Sequence, residues 1–227
     1  MVARVDGEYP LAGMLIAAVA GKHWPVDGGW HRVPPWRCGL EAVVAFTGHA
    51  VLALERDVPD RLLAEHDVDG FGRAHDPRLV AALAGAHGWI DSLDVLLARY
   101  GRGGDDGDAS VLVDRPDLAG HPRVRLAAQL RDDVRVLGYQ EPTRTAVAII
   151  SRGIAGLSEL SFELEPDRRG TGGGISLVQA ALTTVHSAQL VVAAAAPGNT
   201  ASLRTLLAAG FVPVASLQLF RRNPHVP

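Results

Sequence analysis

The residues with the clearest chemical potential form a glycine-rich stretch, RRGTGGG, at residues 168–174. It lies between an apolar run typical of a strand and one typical of a helix. A glycine-rich turn that opens a helix presents several backbone N–H groups at the end where the helix dipole also favours negative charge. The stretch therefore predicts a phosphate-binding loop, and the residues around it decide between the known kinds.

Two familiar phosphate loops fit this stretch poorly. A P-loop needs a lysine and a hydroxyl residue after its last glycine, but Ile175 follows Gly174. The dinucleotide fingerprint G-x-G-x-x-G, started at Gly170 or Gly172, has Ile175 or Leu177 at its sixth position, where a small residue is needed. That fingerprint also expects a parallel sheet, whereas the preceding strands read as antiparallel. The residues exclude the first loop and argue against the second.

A third pattern, R-x-x-G-x-G, is filled by Arg169, Gly172 and Gly174, directly after a strand that ends with Leu164 and Pro166. In this arrangement the stretch resembles the pyrophosphate loop of the GNAT superfamily of acyl-CoA-dependent N-acyltransferases. The consensus of that family is a strand, a proline and then an arginine-glycine loop that opens a helix.

A second motif downstream strengthens this resemblance. The sequence NTASLRTLLAAGF at residues 199–211 resembles the asparagine of the family, which is followed eleven residues later by Gly-Phe. The two motifs occur in the family's order, about 25 residues apart. The resemblance covers residues 133–221, and we expect it to extend back to the strand near Val43.

The resemblance implies a fold and an activity. The expected fold is α/β, with a GNAT-type mixed, largely antiparallel sheet flanked by helices and an N-terminal extension. We expect the extension at 1–110, as a degenerate half or a portion of the substrate pocket, and an acyl-CoA-binding core at 111–227. The glycine-rich loop at 101–108 is the candidate boundary. The implied activity is the direct transfer of an acetyl group from acetyl-CoA to a primary amine, without a metal.

The resemblance also assigns the acyl donor, coenzyme A, to particular residues. The loop amides would bind its pyrophosphate, and Arg169 would add a charge-assisted contact. The strand before the loop would hold the pantetheine arm, with the Leu164 N–H polarising the thioester carbonyl. Asn199 would bond to pantetheine, cap the helix that follows it, or do both. The implied cofactor-binding residues are Phe162, Glu163, Leu164, Arg169, Gly170, Thr171, Gly172, Gly173, Gly174, Asn199 and Ser202.

Two carboxylates are candidates for the base that removes a proton from the amine. In the strand LSELSFELE, the side chains of Glu159, Ser161 and Glu163 alternate onto one face. Glu159 matches, by resemblance, the position at which histone-type members of the family place their base, and Glu163 is the second candidate. The alternative is that both carboxylates only solvate an exposed face, since charged alternation is ordinary in half-exposed strands.

The usual general acid of the family has no counterpart in this chain. Many members of the family place a tyrosine seven residues after the asparagine, but this chain has Leu206 there. Ser202 is a weaker candidate because a hydroxyl is a poor acid, and solvent would suffice for a modest rate. Two alternative functions therefore stay open: a non-catalytic acyl-CoA-binding regulatory module, or an acyltransferase for longer acyl chains. The small residues Ala193 to Ala196 favour the latter.

Two further groups of polar residues allow both a functional and a purely structural interpretation. His49 lies in an apolar strand and either faces a substrate groove or is a hydrogen-bonded core histidine. The cluster of Asp67, Asp69, His75 and Asp76 suggests a metal site, but its D-x-D-G spacing lacks the later glutamate of a calcium loop. A loop that lines the amine pocket is the better hypothesis for this cluster.

Composition restricts the partners. The chain has 227 residues, 48% of them hydrophobic, which is enough for a sizeable core. Its formal charge of −3 argues against nucleic acid or an anionic membrane as the main partner. The expected acceptor is a small-molecule or peptide amine, and a homodimer is left open. A single cysteine and an apolar run of only ten residues, 11–20, point to a cytoplasmic protein without a membrane span.

Periodicity and turn signals predict the elements that position these residues. The segments DVRVLGY, TAVAIISRG and LSELSFELE are typical of an antiparallel meander. Strands are also predicted at 42–54, 189–196 and 211–220. Helices are predicted at 11–20, 77–85, 91–101, 123–131, 175–187 and in the segment that ends at Gly210.

Overall fold

The computed structural model describes residues 9–22, 26–103 and 111–222. The chain divides into two compact units: the first contains the chain up to Leu96 and the stretch from Val214 onward, and the second runs from Leu97 to Pro213. The predicted boundary loop at 101–108 falls largely on residues 104–110, which lie outside the described residues. The division into 1–110 and 111–227 therefore stays a prediction.

The first unit combines helices with a small sheet. Its elements are α1 (Pro10–Val19), β1 (Trp30–Val33), β2 (Glu41–Phe46), β3 (His49–Ala53), α2 (Asp60–Glu65), α3 (Pro77–Ala84) and most of β10 (Val212–Arg221). Strands β2 and β3 pair in antiparallel fashion, β2 also pairs antiparallel to β10, and β1 pairs parallel to β3. The hydrophobic core of this unit contains apolar side chains of β2, β3, α2, α3 and β10.

The single strand predicted at 42–54 is a two-stranded hairpin, so that prediction was wrong. Strands β2 and β3 are joined by Thr47 and Gly48, and the pair Phe46–His49 closes the turn. Gly48 has a φ of 70°, which is in the left-handed region that glycine adopts readily. The glycine therefore reverses the chain between two strands.

The second unit contains the predicted meander. Its elements are β5 (Leu112–Asp114), α4 (Pro122–Leu130), β6 (Asp132–Tyr139), β7 (Val147–Arg152), β8 (Ser158–Glu163), α5 (Gly173–Leu182), β9 (Leu190–Ala195) and α6 (Thr200–Ala208). Strands β5, β6, β7 and β8 pair in antiparallel fashion in chain order. Helix α4 packs apolar residues against β7, where Val124, Ala127, Val147 and Ile149 form one buried cluster.

The contact between β8 and β9 is short. These strands pair in parallel over two positions only, Ser158 with Val191 and Glu159 with Val192. Beyond Glu159, β8 continues its antiparallel ladder with β7 up to Glu163. One edge of β8 is therefore without a ladder partner, within the described residues, along the segment that leads to the glycine-rich loop.

The prediction of a helix at 91–101 was also wrong, because residues 91–100 belong to the 12-residue strand β4 (Trp89–Tyr100). The leucine spacing and an Asp-Ser start favoured a helix, but β4 as a whole also carries Trp89, Ile90 and Tyr100, residue types that fit a pleated surface. Gly101 is not a helix cap. A Cβ at this position would collide with the carbonyl groups of Val185 and His186, so only glycine permits the close approach.

The other predicted helices are present. Helix α3 begins at Pro77 after Asp76, whose carboxylate accepts a hydrogen bond from the Arg78 amide at 2.8 Å. Within the described residues, no helix is both long enough and apolar enough to cross a membrane.

Candidate acyl-CoA groove

A groove of about 760 Å³ lies where β8 ends and α5 and α6 begin. Its volume is within the range of small-molecule and cofactor sites. Most of the predicted cofactor-binding residues line it; Thr171 and Gly173 do not. The lining residues are Arg123, Phe162, Glu163, Leu164, Arg169, Gly170, Gly172, Gly174, Ile175, Asn199, Ala201, Ser202, Arg204, Thr205 and Ala208.

The glycine-rich loop forms the N-terminal end of α5. Gly172 is its N-cap with a φ of 84°, and Gly170 has a φ of 78°, so both positions favour glycine. A Cβ built at either of them would meet no atom within 4 Å, so space is open beside the loop. Among the described residues, the amides of 170–172 donate no hydrogen bond, and the amides of Gly173 and Gly174 stand in the first turn of α5, where no carbonyl of the helix can accept from them. This end of α5 is thus able to bind an anion through main-chain donors.

Charged side chains make the groove cationic. Three arginines and one glutamate line it, which gives a net formal charge of +2. Glu163 contacts Arg123 Nε at 3.1 Å and Arg169 Nη2 at 3.2 Å. Arg204 approaches from α6. A ligand with several negative charges fits this electrostatic setting.

Helix α6 contributes polar groups and one close contact. The Asn199 Oδ1 accepts a hydrogen bond from the Ser202 amide at 3.2 Å, so the asparagine caps α6 while it lines the groove. A Cβ on Gly174 would lie 3.2 Å from the Thr205 Cγ2, so a glycine on α5 lets the two helices approach closely. Leu206 is only 2% exposed and does not line the groove. The position of the family's tyrosine therefore lies in the hydrophobic core.

Glu159 lies outside the groove. Its side chain is 6% exposed, and its Oε1 lies 2.6 Å from Arg131 Nη2. Its Oε2 accepts a hydrogen bond from the Ile154 amide at 3.0 Å, and Arg131 also donates to Ser161 Oγ at 3.0 Å. Glu159, Ser161 and Glu163 do share one face, as predicted, but the carboxylate of Glu159 is held in a buried ion pair rather than solvated. Its role as a base stays a prediction.

Sequence reasoning missed part of the groove. Arg123 reaches it from α4, 40 residues before Glu163, and no local pattern connects the two. Ala201, Thr205 and Ala208 were also missed, although their helical spacing after Asn199 is a usable signal, since such residues share one face. Their small side chains leave room beside the loop.

The polar residues of the first unit have separate structural roles. His49 is a hydrogen-bonded core histidine: its Nδ1 lies 2.9 Å from Asp27 Oδ1, and its Nε2 lies 2.9 Å from His31 Nδ1. Burial lowers the pKa of His31, and the neighbouring His49 lowers it further.

The predicted cluster of Asp67, Asp69, His75 and Asp76 does not converge on one point. Asp67 pairs with Arg73, Asp76 caps α3, and His75 lies against Ser216. In the part of the chain that the structure describes, no three potential ligands are placed to hold a metal ion. The proposed lining of an amine pocket by this cluster stays a prediction.

Comparison with known proteins gives matches at the level of structure only. No family model and no curated protein matches the chain. Similar solved structures include an acetyltransferase of the GNAT family from Colwellia psychrerythraea, at 10% identity and a TM-score of 0.41, covering 77% of this chain and 76% of that one. A GCN5-related N-acetyltransferase from Kribbella flavida is similar at 14% identity and a TM-score of 0.40, covering 66% and 64%. A functionally unknown conserved protein from Staphylococcus epidermidis is similar at 16% identity and a TM-score of 0.40, covering 65% and 68%.

The topology of the second unit agrees with the fold that the two sequence motifs predict. An antiparallel meander leads to β8, a proline and a glycine-rich loop, which opens α5; β9 then pairs in parallel with β8, and α6 begins at the predicted asparagine. The second unit therefore has the mixed, largely antiparallel α/β fold of the GNAT type.

Proposed function

We propose that the second unit binds acetyl-CoA and transfers its acetyl group directly to a primary amine. The observation that carries this proposal is the row of amides at residues 170–174, which lies at the N-terminal end of α5, has no acceptor among the described residues, and borders a groove with a net charge of +2. Main-chain donors at a helix end and nearby guanidinium groups are the features that bind a pyrophosphate. The open space beside Gly170 and Gly172 leaves room for it.

The remaining groove residues fit the rest of the donor. Phe162 and Leu164 give the groove an apolar wall beside the unpaired edge of β8, where an extended pantetheine arm would lie. The Leu164 N–H is the proposed donor to the thioester carbonyl, and Asn199 and Ser202 would offer polar contacts from α6. When bound, acetyl-CoA would supply the thioester that the amine attacks.

For the base, the groove geometry favours Glu163. Of the described residues that line the groove, it is the only carboxylate. It would accept the amine proton directly or through a water molecule, so that the neutral amine attacks. Ser202 and Thr205 are hydroxyl residues that line the groove. One of them, or solvent, would protonate the departing thiolate.

A second function is a non-catalytic acyl-CoA-binding module. The burial of Leu206 favours it, because this position offers no acid to the leaving thiolate. An enzyme releases free thiol from acetyl-CoA when suitable amines are added, whereas a binding module does not. Ala193 to Ala196 do not line the groove, so they give no support to a preference for longer acyl chains. Affinity across acyl-CoA chain lengths tests that preference.

The binding proposal predicts stabilisation by acetyl-CoA. A ligand at 100 times its dissociation constant stabilises the native state by about 2.7 kcal/mol, which raises the unfolding midpoint of a chain of this size by about 5 to 11 °C. Thermal unfolding with acetyl-CoA, and with NAD and ATP as parallel ligands, measures this. A shift with NAD or ATP alone would contradict the proposal and indicate a different phosphate loop.

Arg169→Ala should weaken acetyl-CoA binding about tenfold, because one charge-assisted contact to the pyrophosphate is lost. Arg168→Ala is the matched control, since Arg168 neighbours Arg169 in the loop but does not line the groove. Calorimetric titration of both variants compares the affinities. Equal weakening in the two variants would show a general effect of positive charge rather than a contact of Arg169.

A further inference from the structure

The groove contains one carboxylate of the protein itself, that of Glu163. Glu163 Oε2 accepts a hydrogen bond from Arg123 Nε at 3.1 Å, and its Oε1 accepts one from Arg169 Nη2 at 3.2 Å. The Glu163 side chain is 33% exposed, so solvent and ligands reach it. Two of the three guanidinium groups of the groove are therefore already paired with a carboxylate of the protein.

Arg169 is the more accessible of these two cations. Its side chain is 58% exposed, against 37% for Arg123. It belongs to the glycine-rich loop, whereas Arg123 is fixed on α4. Besides its contact with Glu163, its Nε donates to the Leu164 carbonyl at 3.4 Å. Two of the donors with which Arg169 would grip a phosphate are thus engaged by β8 and the residue after it.

A ligand that binds Arg169 through these donors must replace the hydrogen bonds that Arg169 makes to Glu163 and to the Leu164 carbonyl. A carboxylate carries one negative charge, and a pyrophosphate carries at least two. At equal distance, the Coulomb attraction of a dianion for the guanidinium is about twice that of the carboxylate. A pyrophosphate can therefore replace Glu163 as the partner of Arg169, whereas a neutral acyl donor offers no replacement charge.

We propose that Glu163 is a specificity-determining residue of this groove: its carboxylate competes with ligand phosphates for Arg169, so that only a multiply charged donor displaces it. The inference rests on the proposed function, because it concerns the same groove. Displacement also frees Glu163 Oε1 from Arg169. The anionic end of the donor thereby releases the carboxylate that lines the groove.

The test is a double-mutant cycle on binding, measured by calorimetry at one low ionic strength. The titrants are acetyl-CoA and, separately, inorganic pyrophosphate. Glu163→Gln should bind each anion about five- to tenfold more tightly than the unaltered protein, because a competing charge is removed. The matched control is Asp167→Asn, which removes an exposed charge of the same loop that does not line the groove, and its affinity should stay within about twofold.

The Arg169→Ala background identifies the cause. If Glu163 competes for Arg169, adding Glu163→Gln to Arg169→Ala should change affinity by less than about twofold. A gain of unchanged size in that background would show repulsion through space and overturn the inference. Equal affinities of Glu163→Gln and the unaltered protein would overturn it as well.

The two titrants separate this inference from the proposed function. If the unaltered protein binds pyrophosphate but not acetyl-CoA, the proposed function fails, while the pyrophosphate affinities still decide the role of Glu163. If acetyl-CoA binds with the same affinity to all variants, the proposed function stands and the competition is refuted. Pyrophosphate that binds to no variant would also refute it, since the groove would then have no anion to select.

Discussion

Replacing Glu159 by glutamine should lower the free energy of unfolding by about 3 kcal/mol. Glutamine retains an acceptor for the Ile154 amide, but it leaves the Arg131 guanidinium, whose side chain is 15% exposed, without its counter-charge. Breaking a buried pair by removing one charge is much more costly than removing both. Denaturant unfolding of the variant and the unaltered protein measures the difference.

The control is the double variant Glu159→Gln with Arg131→Met, which removes both charges and should recover much of the lost stability. Turnover is measured in parallel and expressed per folded molecule. We expect Glu159→Gln to retain turnover within about threefold, because its carboxylate lies outside the groove, whereas loss of a positioned base costs about a hundredfold or more. A stable variant without turnover would instead establish Glu159 as the base.

The sequence predicted much of the second unit because its signals there are local. The meander strands alternate, Gly170 and Gly172 adopt the positive φ of a turn before α5, and Asn199 and Gly210 delimit α6. The failures occurred where tertiary pairing overrides local propensity. Residues 91–101 have helical leucine spacing but form part of a strand, and the apolar run at 42–54 conceals a turn at a single glycine.

The same distinction between local signals and tertiary packing applies to the candidate site. Main-chain donors of the loop follow from the glycine pattern, so they were predictable. The long-range side-chain contacts were not: Glu159 pairs with Arg131, and Glu163 pairs with Arg123 in addition to Arg169 of the loop. Arg131 and Arg123 lie 28 and 40 residues earlier, beside or on α4. Alternation placed both carboxylates on one face, but only packing decides that one is buried and the other borders the groove.

Acidification from pH 6.5 to pH 4 should destabilise the protein through His75 by up to about 3 kcal/mol. Burial lowers the pKa of His75 from its ordinary 6.5 to about 4. Its Nε2 lies 2.8 Å from Ser216 Oγ, which itself donates to the Ala45 carbonyl. The buried Nδ1 has no hydrogen-bond partner within the described residues. A proton added there would create a buried charge and a donor without an acceptor.

The direction of this pH dependence follows from proton uptake by the folded and the unfolded chain. Between pH 6.5 and pH 4 the unfolded chain protonates His75 and the folded chain does not, so stability falls as the pH falls. His31, whose pKa is also lowered, acts in the same direction. Asp76 and Glu165, whose pKa values are lowered to about 2 from 3.8 and 4.5, begin to lose their contributions near the lower end of this interval and lose most of them below pH 4. Variants must therefore isolate the contribution of His75.

His75→Gln removes the titrating group and keeps a donor for Ser216, so the variant should lose most of this pH dependence. His87→Gln is the control, because His87 is exposed, and it should leave the dependence unchanged. Denaturant unfolding at half-unit intervals from pH 4 to pH 7 supplies the slopes. If His75→Gln keeps the slope of the unaltered protein, His75 titrates alike in both states and its burial has no energetic consequence for folding. A slope that flattens only in His75→Gln identifies this half-buried imidazole as the group that limits stability in mild acid.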